Sequence, residues 1–185
     1  LEKNRQREQD ERVSKAESGH IPTILYLAKE AERAQPEEAV YWYTQAAKLD
    51  NVAGMYGVVR LSDIFKQNEV LKRQADFWKL CISATEGSID AQFEMAKALL
   101  KGEGTDIDMD KGVAVMESIA YQNHLEALLY LGDWNIAENN PKKDSKKSTQ
   151  FYHKAAIEKS NEARMKLGLS YIQGRGVTSN FERGI

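Results

Sequence analysis

Several groups of side chains in this sequence have types and spacings that could do chemistry. Asp106-Ile-Asp108-Met-Asp110 with Glu117 alternates carboxylates as a calcium loop does, with a further acid eleven residues after the first. Calcium takes about six to eight oxygens, and the sharp turn in such a loop needs glycine. Lys111 stands at that turn and Gly112 comes one residue late. The better reading of Asp108 is a helix N-cap, its carboxylate accepting from free backbone N–H groups. Lys142-Lys-Asp-Ser-Lys-Lys147 is a basic run just before Phe151, Tyr152 and His153. Basic residues beside aromatics can hold nucleic acid, but no arginine or glycine cluster accompanies them, and a solvated loop is the simpler reading.

Tyr41-Trp42-Tyr43 could offer a stacking platform. Successive helical residues point about 100° apart, so the three cannot form one flat face. Trp42 is read as core, and Tyr41 and Tyr43 as packing against neighbouring units. His20, His124 and His153 form no His-x-x-x-His pair and have no partner acid in sequence, which favours surface histidines at unrelated positions. Cys81 reads as a small buried hydrophobe. Gly102-Glu-Gly104 and Gly174-Arg-Gly176 lack the further residues of a phosphate or dinucleotide loop and read as chain turns. No nucleophile, base, metal set or cofactor motif is assembled, so the expectation is no catalytic residue, no metal and no cofactor.

The elements that must position these residues begin with composition. The 185 residues carry 26 basic and 28 acidic side chains, a net charge of -2, so no global field attracts nucleic acid or an anionic membrane. Apolar residues make up 42% and the mean hydropathy is -0.60, enough for a core but without the run of about 20 apolar residues that crosses a bilayer. One cysteine excludes an internal disulfide and a thiolate zinc site. Few prolines and glycines point to a mostly helical chain.

Self-similarity is the strongest signal. Ala91–Ala96 (AQFEMA), Ala127–Gly132 (ALLYLG) and Ala163–Gly168 (ARMKLG) each open with alanine, with a large apolar residue fifth and a small one sixth. They begin 36 residues apart, and Ala53–Val58 and Thr23–Ala28 are looser copies. A second block ends in Ala46-Ala47, Ile119-Ala120 or Ala155-Ala156, with Trp42, Val115 or Phe151 five residues before the second member. Trp78 fills that slot in the second copy, with Ala84 one residue out of step. The Gly-x-Gly loops recur 72 residues apart, as do Gly112 and Gly184, and Asp108 aligns with Asn180. The small sixth residues Ala28, Ala96, Gly132 and Gly168 allow a neighbouring helix to come close, and Pro22 and Pro36 suit helix starts. A unit of this size cannot bury its own apolar face, so it must stack.

This pattern of small and large residues, a Gly-x-Gly turn, an aromatic and paired alanines resembles the Sel1-like repeat, a relative of the tetratricopeptide repeat. Asn161 to Gly184 is the nearest copy and Asp90 to Asn123 the next. The resemblance implies an all-α fold, an α/α solenoid wound as a right-handed superhelix of about four and a half helix–turn–helix repeats. In this register residues 1–18 form a polar capping helix, the second of a preceding unit. Repeats follow at 19–50, 51–88, 89–124 and 125–160, with a partial one at 161–185 whose second helix is expected beyond the fragment.

The expected function is a non-catalytic scaffold or adaptor that holds a protein or peptide on the concave face lined by the first helices. The slot two residues past the apolar fifth position varies while its neighbours repeat, which makes Lys29, Val59, Lys97 and Asp133 candidate partner-binding residues, followed by Leu169. The resemblance adds bacterial envelope assembly, secretion or signalling as the setting, with the periplasm or cell envelope as compartment and the cytoplasm as alternative. Competing readings are a regulatory or targeting module of a larger enzyme, and a polysaccharide- or nucleic-acid-binding repeat protein using Lys142–Lys147. Neither nucleic acid nor membrane insertion is the favoured partnership.

Overall fold

A computed structural model describes residues 1–158 and 160–174. Among them the regular structure is ten α-helices and no strand: α1 (Glu2–Glu17), α2 (Ile21–Ala31), α3 (Pro36–Lys48), α4 (Val52–Ser62), α5 (Glu69–Thr85), α6 (Ile89–Lys101), α7 (Met109–Ala120), α8 (Leu125–Trp134), α9 (Ser145–Ile157) and α10 (Asn161–Gln173). The even-numbered helices carry the first sequence block of each repeat and the odd-numbered ones the second. The helices gather into two compact units, α1–α6 and α7–α10. Inside each unit, helices adjacent in sequence pack on one another.

Helix starts are marked by a side-chain acceptor. His20, Asn51, Ser88, His124 and Ser160 each accept a hydrogen bond from the backbone N–H three residues on, at 2.9 to 3.3 Å. All five precede a first helix, so His20 and His124 occupy the same place in the repeat, which corrects the reading of them as lying at different repeat positions; His20 is exposed and His124 partly so. The second helices start on Asn68, Asp108 and Asp144, with Pro36 opening α3. Asp108 accepts from the Lys111 N–H at 3.0 Å, so its carboxylate caps α7. α6 and α10 end on Gly102 and Gly174 in the left-handed conformation, φ +75 and +68, where a side chain would clash with its own backbone. Gly176, Asn180 and Gly184 lie outside the described residues.

The second-block slots form the core, with two changes of register. Trp42, Ala46, Ala47 and Phe151 are buried as the pattern requires, but Val115 is only half-buried and Met116, one residue later, has no exposed surface. In the second copy, Phe77-Trp78 and Cys81-Ile82 stand where Trp42-Tyr43 and Ala46-Ala47 stand in the first, and all four are buried. The slot is thus two residues wide, and α5, at 17 residues, reaches it from a different starting point. Tyr43 is buried, while Tyr41 remains half exposed and meets the Trp42 ring edge-on at 5.0 Å. α1 buries Ala16 alone, with Val13 partly covered, so it meets α2 through its last turns and is otherwise solvated.

Small residues matter where helices meet. In α8, a methyl group on Gly132 would enter the Tyr152 ring of α9; in α4, one on Gly57 would enter the Tyr43 ring of α3. Ala28 and Ala96, at the sixth position of their blocks, are fully buried. Gly132→Ala should therefore lower stability by about 1–2 kcal/mol. Overpacking costs up to about 3 kcal/mol and the gain in helix propensity returns only about 1. Thermal or urea unfolding checks this, and a more stable variant would disprove the ring contact. His20→Ala should lose about 1 kcal/mol by the same assay, while His20→Asn, which keeps an acceptor at the cap, should lose little.

Candidate functional site

The four candidate partner-binding residues lie on four different first helices, α2, α4, α6 and α8. Lys29 is exposed near the end of α2, and Val59 of α4 is half-buried against the core. Lys97 of α6 lies 4.7 Å from the centre of the Phe93 ring and 3.1 Å from the Glu94 carboxylate. These three belong to the first unit and Asp133 to the second. Asp133 is engaged inside its own unit. Its Oδ1 accepts from the Tyr152 hydroxyl and from the Lys166 ammonium, both at 2.5 Å.

That arrangement occurs twice. In α9, the Tyr152 hydroxyl donates to Asp133 of the preceding first helix, and Lys166 of the following first helix pairs with the same carboxylate while lying 5.5 Å from the Tyr152 ring centre. In α3, the Tyr43 hydroxyl donates to Glu32 just after α2, and Arg60 of α4 pairs with Glu32 while its guanidinium lies 5.7 Å from the Tyr43 ring centre. Both tyrosines also sit on a glycine. Each cluster ties the first helix before a second helix to the first helix after it. The equivalent residue of α7 is Met116, which has no hydroxyl to donate. Sequence reading missed these clusters because their members are 11 to 33 residues apart and sit at different slots.

The local charges follow from this geometry. Burial raises the Tyr43 hydroxyl above its ordinary value, and the Glu32 carboxylate beside it adds to the rise. Burial alone would lower Lys166, but its hydrogen bonds to Asp133 and Glu162 more than offset that and hold its pKa above the usual lysine value. In the same way Glu32 and Tyr43 hold Arg60 above its ordinary value against the effect of burial. These are structural ion pairs rather than an acid–base pair poised near neutrality.

The first helices also present aromatic residues that the sequence reading passed over. Tyr26, Tyr56 and Tyr130 share the fourth position of the repeated block, and that recurrence was the available signal. Tyr26 is 45% exposed with Arg12 over its ring, and Tyr56 is 47% exposed with its hydroxyl donating to Glu86 at 3.2 Å. In the basic run, Lys142 pairs with Asp110 and Lys143 with Glu138, each at 3.1 Å, so half of its lysines already face carboxylates. Phe151 and Tyr152 beside it are buried and present no stacking surface. Among the described residues no cluster of His, Cys, Asp and Glu could hold a metal ion, and no helix is long and apolar enough to cross a membrane.

Because Lys166 binds its proton more tightly folded than unfolded, its stabilising effect is complete below the unfolded lysine value and is lost as pH rises through the folded one. Tyr43 acts in the same direction. Unfolding free energy should therefore fall as pH rises above about 10. In Lys166→Met the alkaline fall should be shallower. An identical pH profile in the variant would refute the role given to Lys166.

The comparisons agree with this architecture. The pattern of the family described as Sel1 repeat matches residues 30–51, 89–124, 125–159 and 161–185, well over half of the chain. Among solved structures, a Sel1 repeat protein from Oxalobacter formigenes is similar over 95% of this chain and 52% of its own, at 20% identity and a TM-score of 0.56. A protective antigen present in uropathogenic Escherichia coli strains, displaying an SLR fold, is similar over 95% of this chain and 38% of its own, also at 20% identity and 0.56. The chain thus spans about half or less of the length of these two proteins. No curated protein matches. Repeats of this kind generally mediate protein–protein interaction. Its four matched repeats, and the helix pairs that carry them, place the chain in the Sel1 repeat family.

Proposed function

We propose that this chain is a non-catalytic scaffold that holds a protein or peptide segment on the face presented by its first helices. The observation that carries the reading is the pairing of Tyr26 with Lys29 and of Tyr56 with Val59. Each tyrosine is about half exposed, at the same block position in successive first helices, three residues before a slot whose side chain varies. Residues three apart on a helix are surface neighbours. Tyrosine gives much contact area for little conformational entropy, which is why it is enriched where binding energy concentrates. The variable slot beside it would supply partner choice. Lys97 extends the face on α6. The setting we assign is bacterial envelope assembly, secretion or signalling, as the family resemblance implies.

Asp133 fits this role least well, since a partner would have to compete with Tyr152 and Lys166 for its carboxylate. The test is therefore best confined to the first unit. Affinity capture with cross-linking should be run on the parent chain and on a Tyr56→Ala, Lys29→Glu, Lys97→Glu variant. A protein retained by the parent and lost by the variant, with helicity and melting temperature unchanged, is the expected outcome. Equal retention by both would remove the first-helix face from consideration.

A further inference from the structure

The second helices of the first unit form a separate surface. Between α3 and α5 runs a groove with two connected depressions, of about 330 and 280 Å3, that share Val70 and Gln74 as walls. One wall is a single face of α3, reading Glu37, Val40, Thr44 and Lys48 at helical spacing. The other is the exposed side of α5. The two ends differ in chemistry. At the start lie Val40, Phe65 and Leu71, with Val70 64% exposed between the depressions. At the other end are Lys48, Arg73 and Thr105, with Asp106 the single carboxylate.

Three features make this end a receptor for anions. Lys48 and Arg73 are exposed, and neither has an ion-pair partner among the described residues. The Thr44 hydroxyl, which donates to the Val40 carbonyl at 2.7 Å, and the amide of Gln74 add polar atoms to the walls. The floor is closed by the turn after α6, where Gly104 packs so tightly that a methyl group on it would strike the Arg73 carbonyl oxygen. That contact holds the turn against α5 beside the arginine. The far side of the same turn, which Arg73 also borders, carries Asp76, Glu94 and Glu103, so an anion would approach Arg73 from the α3 side.

We propose that this groove binds an extended peptide segment of a partner protein, with an apolar side chain at the Val40–Phe65 end and carboxylates at the end lined by Lys48 and Arg73. The dimensions agree. Val40 to Lys48 spans eight helical residues, about 12 Å, which an extended chain covers in about four residues. The occupant therefore carries its acidic residues about three to four positions from its apolar one. Charge complementarity sets which peptide is accepted and in which direction it lies. This surface is distinct from the first-helix face, and the two readings stand or fall separately.

The test uses a panel of fluorescein-labelled hexapeptides with leucine first and aspartate or glutamate fourth and fifth, measured by fluorescence polarisation on the whole chain. Matched peptides carry lysine in place of the acids. Saturable binding of acidic members is expected, weakening as salt is raised, with the lysine peptides at least about tenfold weaker. Arg73→Glu and Lys48→Glu should each lose about tenfold or more, and Val70→Asp should lose affinity for the leucine end. Both cations are exposed, so these variants keep their fold, which circular dichroism verifies. Lys29→Glu should bind as the parent does. Absence of saturable binding across the panel, equal affinity for acidic and lysine peptides, or full retention by Arg73→Glu would each overturn the proposal. Loss only in Lys29→Glu would also overturn it, by moving peptide binding to the first-helix face.

Discussion

An aromatic ring resting on bare backbone is the contact on which the packing turns. Tyr43 lies on Gly57 and Tyr152 on Gly132, so close that neither glycine could carry a methyl group with the ring in place. A ring laid against a helix in this way is both well packed and fixed in direction. Its hydroxyl is then delivered to one place, where Glu32 or Asp133 accepts it. The carboxylate, held by the hydroxyl, in turn fixes Arg60 or Lys166 over the same ring. The polar cluster therefore depends on an apolar fit. Without the glycine the ring would have to move, and the acid and the cation would lose their shared partner.

This order of dependence separates the two kinds of surface on the protein. Where a side chain is enlisted by a cluster, as Asp133 is, its position is set by the stacking of helices and little is left for a partner. Where the neighbours of a side chain already satisfy the packing, as Ala28 does beside Lys29, the residue is free to face outward. The groove between α3 and α5 arises from the same division. The buried faces of these second helices are committed to the first helices, and their outer faces leave Lys48, Val70 and Arg73 exposed.

Helix order, the paired blocks and most core slots were legible in the sequence because they depend on local periodicity, which 36-residue self-similarity makes visible. Asp108 could be recognised as a cap because the interaction spans three residues. The exceptions have definite physical causes. Val115 and Met116 are both apolar neighbours, and composition does not tell which of two adjacent residues faces inward. Phe77-Trp78 was displaced in register because α5 is longer than the other second helices. The tyrosine clusters join three helices at unequal slots, so no repeat comparison aligns their members. The partner-facing role of Lys29, Val59 and Lys97 was inferred from variation alone, which marks a position as unconstrained without saying what meets it.

The five caps of the first helices have a wider consequence. His20, Asn51, Ser88, His124 and Ser160 are three different chemistries at one position, and each answers the same need, an atom that accepts from one N–H group. Such a place requires a lone pair and not a residue type, so the sequence can differ from repeat to repeat while the helix start is the same. Residues 1–29 and 52–88 thus fold into the same kinds of helices as the rest of the chain, yet lie outside the segments that the family pattern matches. The same kind of helix-pair fold is likewise found at 20% identity in the protein from Oxalobacter formigenes.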